Sequence, residues 1–301
     1  MSIQRVAVIG LGLLGGSIGL ALAKHCPDIT TTGYDADPAT REAARARQLV
    51  GTVHDSAAGS VAQADLVILC VPVGAMAFAA EAIRDVLPSG AIISDVGSSK
   101  QSVVESLQAA LPGHTVIPAH PVAGTEQSGP EAGFAELFEH RWCILTPPEG
   151  TPDDKIADLS AMWKRLGSKI EIMDAAHHDL VLAVTSHIPH LIAYTIVGTA
   201  SDLEDVTRSE VIKYSAGGFR DFTRIAASDP TMWRDVFLHN KDAVLEMLGR
   251  FTEDLTALQR AIRRGDGDAL HELFTRTRAI RRSIIEQGQD DARPDFGRAD
   301  H

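Results

Sequence analysis

The sequence contains few cysteines, no long apolar run and little positive charge. Its three cysteines, Cys26, Cys70 and Cys143, are widely spaced among 301 residues and stand in apolar surroundings. This spacing is not that of a zinc site, and it is typical of reduced structural thiols in a cytosolic protein. The longest apolar stretches, such as 66–73, are too short to cross a bilayer, and residues 1–5 contain no signal core. We therefore expect a cytoplasmic protein without a membrane partner.

The balance of charged side chains is acidic. The chain has 28 lysines and arginines against 40 aspartates and glutamates, which gives a formal net charge of −12. This balance argues against a nucleic-acid partner, because such a partner is bound by a basic surface. An anionic small molecule would have to be bound by a local basic site instead.

Strand and helix patterns divide the chain into two halves. The length is enough for two domains with separate cores. In the first half, short β-branched runs alternate with helix-compatible stretches, which is the pattern of a buried parallel sheet. The predicted strands are 6–9, 29–34, 66–71, 91–96, 115–119 and 142–146. The predicted helices between them are 17–24, 38–48, 75–86 and 100–110.

The second half is predicted to be mainly helical. Thr151 is expected to cap a helix, and 170–173 is expected to be a last strand. A long helix is predicted over 230–264, with a break at 265–267 before a final helix that ends near 286. Apolar residues recur along the long helix at steps of four and three, and this seam fits an intramolecular core and a dimer interface equally well. Its members are Val244, Leu248, Phe251, Leu255, Leu258 and Ile262.

A glycine-rich turn directly follows the first predicted strand and opens a helix. Gly10 permits a tight turn, Gly12 lets the backbone approach a pyrophosphate, and Gly15 lets helix and strand pack closely. Free N–H groups at the helix start then bind the phosphates. Asp35 ends the second strand, where a carboxylate accepts hydrogen bonds from ribose hydroxyls and repels a 2′-phosphate. No arginine follows Asp35 at once, so we expect NAD as the cofactor.

The alternative reading of this turn is a glycine-rich loop with an unrelated acid. Its place between a strand and a helix favours the nucleotide site. The cofactor-binding residues that we predict are Gly10, Gly12, Leu13, Leu14, Gly15, Asp35, Val71 and Pro72.

Two polar segments, 95–100 and 120–126, follow later strands, at the edge where an open α/β sheet binds its ligands. A histidine such as His120 beside a nicotinamide can remove a hydroxyl proton while a hydride leaves the same carbon. Ser98 can orient the imidazole or the substrate. Taken alone, His120 fits a structural histidine and Ser98 fits a helix cap.

Five segments together resemble the prephenate/arogenate dehydrogenase family: 10–17, 95–100, 120–126, 186–190 and 218–226. The resemblance implies an oxidative decarboxylation in tyrosine biosynthesis. Hydride passes from ring C4 to NAD, the C4 hydroxyl loses its proton, and CO2 leaves as the ring becomes aromatic. His120 matches the catalytic histidine of the family and Ser98 matches the supporting hydroxyl. The spacing between them has one extra residue, so Ser99 remains an alternative.

The resemblance also implies a substrate site. Arg224 matches an arginine that clamps a substrate carboxylate, and Glu126 and Asp221 are expected to form an ionic network with it. The predicted substrate-binding residues are Arg224, His187, His190, Thr125, Glu126 and Asp221. His187 and His190 share a helix face, but no further ligand accompanies them at a metal spacing, so we predict no metal. The pair at 177–178 is read as a solvated helix start.

These observations predict an α/β Rossmann-type domain with a mostly parallel sheet over 1–172. They place an all-α substrate and dimerisation domain at 173–287 and a disordered tail at 288–301. The resemblance puts a homodimer contact in the helical domain. One rival reading is a β-hydroxyacid-type dehydrogenase, whose catalytic lysine would have to be Lys213 or Lys241. Another is an NAD-sensing regulator without turnover. The sequence leaves open whether the substrate is prephenate or arogenate.

Overall fold

The computed structural model describes residues 3–202 and 217–286. The tail predicted to be disordered, 288–301, and Lys213 lie outside the described residues. The chain divides into two compact units, Met1–Leu245 and Glu246–His301. The first unit contains both sheets and all the predicted site residues.

The main sheet has six parallel strands in the order β3-β2-β1-β4-β5-β6. Strand β1 lies between β2 and β4. Successive strands are therefore added on one side of β1 up to β3 and on its other side from β4 onward. In such a sheet, ligands bind at the carboxyl ends of the strands beside this reversal of strand order. The strands are β1 (Arg5–Ile9), β2 (Thr30–Tyr34), β3 (Thr52–Val53), β4 (Leu66–Leu69), β5 (Ile92–Asp95) and β6 (Thr115–Val116).

A second sheet of three strands was not predicted. It contains β7 (Ala119–Pro121), β8 (Trp142–Leu145) and β9 (Lys169–Ile172), with β7 antiparallel to β8 and β8 parallel to β9. The prediction of one strand over 115–119 is therefore wrong. The chain leaves the main sheet at Pro118, which has no N–H to donate to a ladder. His120 lies on β7, opposite Ile144.

Six helices accompany these strands: α1 (Leu13–His25), α2 (Pro38–Ala46), α3 (Ala57–Val61), α4 (Met76–Glu81), α5 (Gln101–Ala110) and α6 (Asp153–Arg165). The predicted helix over 75–86 is broken, because short 3-10 turns precede and follow α4. The predicted cap at Thr151 is wrong. Its hydroxyl donates to the carbonyl oxygen of Pro148 at 2.6 Å instead, and Pro152 occupies the cap position of α6.

The helical half begins with α7 (Ala175–Leu182), a π-helical turn (Ala183–His187) and α8 (Ile188–Asp202). It continues with α9 (Gly217–Thr223), a 3-10 turn (Arg224–Ala227) and α10 (Pro230–His239). The predicted helix over 230–264 is interrupted at Asn240, whose backbone leaves the helical region before α11 (Lys241–Arg264) begins.

The run Ala175–Asp202 is long and apolar enough, by length and composition, to cross a membrane. It is longer than any apolar stretch considered above. Its buried side chains include three polar ones, His178, Asp179 and His187, beside apolar ones such as Leu182 and Ile188. Its outer face exposes apolar side chains, namely Leu180, Val184, Ile196 and Val197. The helix run therefore buries polar side chains and leaves apolar ones exposed.

The second unit contains most of α11 and all of α12 (Gly267–Glu286). Gly265 adopts φ +66 between the two helices, which confirms the predicted break. The apolar seam of α11 is buried at Val244 and exposed at two later positions. Leu255 is 47% exposed and Ile262 is 67% exposed. The seam is thus not an intramolecular core along its whole length.

Candidate active site

The turn after β1 has the geometry of a phosphate-binding loop. Gly10 adopts φ +96, and a Cβ there would lie 2.4 Å from the carbonyl oxygen of Cys70. A Cβ at Gly15 would lie 1.8 Å from the carbonyl oxygen of Gly10, so both positions require glycine. A Cβ at Gly12 would meet nothing within 4 Å, so this side of the turn is open. No side chain caps the first turn of α1 among the described residues, which leaves its N–H groups for an anion.

Asp35 lies beside this turn. Its carboxylate accepts hydrogen bonds from the N–H of Leu11 at 2.8 Å and from the N–H of Asp37 at 2.9 Å. Sequence analysis missed Arg41, which α2 brings back to the same place. Its guanidinium donates to the carbonyl oxygens of Asp35 and Ala36 at 2.8 and 3.1 Å. A cation and an anion therefore stand together where the second ribose of a dinucleotide is expected.

The end of β4 faces the glycine turn. A Cβ at Gly10 would come within 3.2 Å of Val71 Cγ1, so Val71 lies next to the predicted pyrophosphate position. Pro72 follows it and precedes a 3-10 turn. The helical half reaches this turn, because the carboxylate of Asp235 accepts a hydrogen bond from the N–H of Gly74 at 3.3 Å.

His120 is 7% exposed on β7 and is hydrogen-bonded to a second histidine. Its Nδ1 lies 2.8 Å from Nε2 of His178. In turn, Nδ1 of His178 lies 2.8 Å from Oδ1 of Asp179. His178 is fully buried, so the reading of 177–178 as a solvated helix start is wrong for this residue. It holds for His177, which is exposed.

The carboxylate of Asp179 also binds the start of α5. It accepts hydrogen bonds from the N–H of Lys100 at 2.7 Å and from the N–H of Gln101 at 2.9 Å. A carboxylate at this position satisfies N–H groups that have no partner inside the helix and complements the helix dipole. Asp179 thereby fixes the segment 95–100, which carries Ser98, to the same helix that carries His178.

Neither candidate serine is hydrogen-bonded to His120 in the described structure. Ser98 is half-buried, and Ser99 is fully buried with its hydroxyl unpaired. The position beside Nδ1 of His120 belongs to His178 instead. The alternative of Ser98 as the cap of α5 also fails, because Asp179 fills that role.

A buried ion pair positions β7. Lys100 pairs with Asp95, and both side chains are completely buried. Lys100 also donates to the carbonyl oxygen of Ala119 at 2.8 Å, and Asp95 accepts a hydrogen bond from the N–H of Ala119 at 3.2 Å. The pair thus holds the end of β5 against the residue that precedes His120. Burial lowers the pKa of Lys100, and the carboxylate of Asp95 opposes that shift.

The electrostatic surroundings keep His120 neutral. Burial holds the pKa of its imidazole well below the ordinary value, and neighbouring His178, Lys100 and His187 lower it further. Near pH 7 the ring therefore carries a free lone pair and can accept a proton.

His187 is fully buried and has a defined tautomer. The amide nitrogen of Asn240 donates to the carbonyl oxygen of Asp179 at 2.8 Å and lies 3.0 Å from Nδ1 of His187. Since a carbonyl only accepts, this nitrogen is the donor, and Nδ1 of His187 accepts its second hydrogen. The proton of neutral His187 is therefore on Nε2, and burial lowers the pKa of the ring to about 4. This Nε2 lies close to the backbone of Ser98 but makes no hydrogen bond of normal geometry among the described residues.

His190 lies one turn further along and is half-buried. Its Nδ1 lies 2.8 Å from the carbonyl oxygen of Ser186, and its ring stacks on Trp233 with centroids 3.6 Å apart. Trp233 of α10 also contacts His187 edge to face. The described residues contain no group of three or more histidine, cysteine, aspartate or glutamate side chains that could hold a metal ion.

Arg224 forms part of the expected ionic network. Its Nη1 donates to Oε2 of Glu126 at 2.7 Å, and its Nε is buried without a partner among the described residues. Asp221 is exposed and lies 3.8 Å from Arg220, and it forms no ion pair with Arg224 among the described residues, so its expected part in the network is not seen. Thr125 is exposed in the same loop as Glu126, where its hydroxyl accepts a hydrogen bond from the N–H of Gln127.

Two family models match this chain. One describes the nucleotide-binding domain of prephenate dehydrogenase and matches residues 18–172, and the other describes its dimerization domain and matches residues 174–276. The chain belongs to the prephenate dehydrogenase family. A cyclohexadienyl dehydrogenase of Zymomonas mobilis in this family is 46% identical over 281 residues, which cover 93% of this chain and 96% of that protein.

Solved structures of the prephenate dehydrogenase family have the same fold. The prephenate dehydrogenase of Aquifex aeolicus, crystallised with hydroxyphenyl propionate and NAD+, is similar with a TM-score of 0.88 and 33% identity, over 94% of this chain and 99% of that one. The arogenate dehydrogenase of Synechocystis is similar with a TM-score of 0.79 and 27% identity, over 93% and 100%. These findings confirm the predicted family and fold class.

Within this member of the prephenate dehydrogenase family, three polar residues of the site were not predicted from the sequence, His178, Asp179 and Asn240, in addition to Arg41. A signal for His178 was present, because Leu182 follows four positions later and shares its helix face. Asn240 gave no such signal. Its role depends on a helix break, and the regular spacing of apolar residues across 230–264 gave no indication of that break.

Proposed function

We propose that this chain catalyses the NAD-dependent oxidative decarboxylation of prephenate and arogenate in tyrosine biosynthesis. The observation that carries this proposal is His120, a buried and neutral histidine beyond the carboxyl ends of the parallel strands. The family membership and the 46% identity to a cyclohexadienyl dehydrogenase favour this reaction over the β-hydroxyacid and regulator readings.

The residues around the glycine turn fit NAD. The open face at Gly12 and the uncapped start of α1 suit the pyrophosphate, and the carboxylate of Asp35 suits the ribose hydroxyls. The Aquifex aeolicus relative binds NAD+. When bound, the nicotinamide supplies the acceptor for the hydride that leaves ring C4.

His120 accepts the proton of the hydroxyl group on the same carbon, C4. As the hydride leaves C4, the lone pair of the imidazole accepts the proton of the C4 hydroxyl, and the C4–O bond gains double-bond character. The bond between C1 and its carboxylate then breaks, CO2 leaves, and its electron pair makes the ring aromatic. The ring oxygen takes a proton back, so the product is a phenol.

Arg224 is proposed to hold a substrate carboxylate. A guanidinium presents five N–H donors, of which Nη1 is engaged with Glu126 while Nε is buried and unpaired. His187 can donate from Nε2 to a substrate oxygen. His190, Thr125 and Ser98 are proposed as further contacts. Asp221 is proposed only at the entrance, because it pairs with Arg220.

We also propose a cytoplasmic homodimer with a domain boundary near residue 173 and a helical domain reaching residue 287. Support for the dimer comes from the dimerization-domain match and from exposed apolar side chains such as Leu180, Val184 and Leu255. Sedimentation should give twice the monomer mass at micromolar concentration. A monomer there would refute the assembly.

The direct test of the reaction uses purified protein, NAD and either prephenate or arogenate. We expect NADH absorbance to rise with both substrates, together with release of CO2. An enzyme that oxidises only one of them would overturn the dual specificity, and one that oxidises neither would overturn the function.

A further inference from the structure

We propose that His178, held by Asp179, is a positioning residue that sets the tautomer of His120, so that the free lone pair is on Nε2 and points to substrate. This inference rests on the proposed function, in which His120 accepts the hydroxyl proton. The helical half would then supply the partner that makes the histidine on β7 a base.

Two backbone N–H groups fix the direction of the hydrogen bonds at Asp179. The backbone N–H groups of Lys100 and Gln101 only donate, and between them they engage both oxygens of Asp179. Asp179 is therefore an acceptor at both oxygens. Because Oδ1 also contacts Nδ1 of His178 at 2.8 Å, that nitrogen must carry a hydrogen.

The tautomer of His178 in turn determines that of His120. Burial lowers the pKa of His178 below its ordinary value, although its hydrogen bond to Asp179 opposes the shift, so the ring is neutral near pH 7. With its single proton on Nδ1, its Nε2 can only accept. That Nε2 lies 2.8 Å from Nδ1 of His120, which must then be the donor. Neutral His120 consequently has its lone pair on Nε2.

The opposite tautomer of His120 is disfavoured by its contact with Nε2 of His178. If His120 carried its proton on Nε2, two lone pairs would face each other at 2.8 Å inside the protein, and neither buried nitrogen would have a hydrogen-bond donor. Among the described residues, the two other titratable groups that lower the pKa of His120 have partners of their own. The nearby Lys100 is committed to Asp95 and to the carbonyl oxygen of Ala119, and His187 is bound by Asn240.

The hydrogen bonds from His120 to His178 and from His178 to Asp179 also stabilise the protonated form of His120. When His120 accepts a proton it becomes a buried cation, and burial penalises that form. The carboxylate of Asp179 is two hydrogen bonds away and compensates the new charge through His178. An acceptor that orients a catalytic imidazole and stabilises its cation is a recurring device in enzymes that use histidine as a base.

The test compares two replacements of one residue. In His178→Gln, the side-chain carbonyl can still accept from Nδ1 of His120, whereas His178→Leu has no acceptor. We expect His178→Leu to lower kcat by about 10²-fold, and His178→Gln to restore at least a tenth of the wild-type value. The dissociation constant for NAD should stay within about twofold in both. His177→Leu, on the exposed neighbour, is the matched control and should leave kcat unchanged.

A second readout does not depend on turnover. Nitrogen-15 shifts of labelled histidine distinguish the tautomers, and the signals of His120 are identified by their loss in His120→Asn. Wild-type protein should show His120 protonated on Nδ1, and His178→Leu should show a mixture. A wild-type His120 protonated on Nε2, or a folded His178→Leu with normal kcat, would overturn the proposal. If the enzyme oxidised neither prephenate nor arogenate, only the proposed function would be refuted. The tautomer proposal would stand, because the nitrogen-15 shifts are measured without substrate.

Discussion

The amide nitrogen of Asn240 lies 3.0 Å from Nδ1 of His187 and gives that buried ring a single tautomer. The contact is possible because the helical chain breaks at Asn240, between α10 and α11. It leaves the hydrogen of neutral His187 on Nε2, close to the backbone of Ser98.

Asn240→Asp should disturb this donor. A carboxylate cannot donate to the carbonyl oxygen of Asp179, and its charge should raise the pKa of His187 from about 4 and draw the proton to Nδ1. We expect KM for the cyclohexadienyl substrate to rise about tenfold, with a lower melting temperature. Asp242→Asn, at a fully exposed side chain nearby, should change neither. A folded Asn240→Asp with unchanged KM would show that His187 does not donate to the substrate.

Arg224→Ala should act mainly on substrate binding. A carboxylate clamp holds ground state and transition state alike, so KM should rise by roughly 10²-fold while kcat stays within a few fold. Arg220→Ala is the matched control, because Arg220 is exposed and pairs with Asp221 rather than with Glu126. Steady-state kinetics of both variants measure KM and kcat separately. An unchanged KM with a collapsed kcat would contradict the clamp.

Cofactor choice should depend on Asp35 and Arg41 together. The wild type should prefer NAD, because the carboxylate of Asp35 repels a 2′-phosphate. Asp35→Ser should shift the ratio of kcat/KM for the two cofactors by about tenfold toward NADP, since the repelling carboxylate is removed while the guanidinium of Arg41 stays in place on backbone carbonyl oxygens. Adding Arg41→Leu should reverse that gain. Equal kcat/KM for both cofactors in the wild type would refute this account.

The parts of the fold that were predictable are those with local causes. The glycine turn could be read from sequence because its three glycines lie at fixed spacing within one strand-turn-helix unit, in which Gly15 is required by its contact with the carbonyl oxygen of Gly10. The strand over 115–119 was misplaced because Pro118 diverts the chain to a second sheet, whose other strands lie far along the sequence. His178 was misread because its burial depends on how α7 packs on α5. Arg41 was overlooked because only the return of α2 brings it to Asp35.

The central claim is that His120 is the base for the C4 hydroxyl. Its most direct test is the rate of NADH formation by His120→Asn beside the wild type, with NAD affinity measured on both proteins. The account predicts a kcat lower by roughly 10²–10⁴ with NAD binding retained. Near-normal turnover in a folded His120→Asn would contradict it, because the proton would then be leaving by another path.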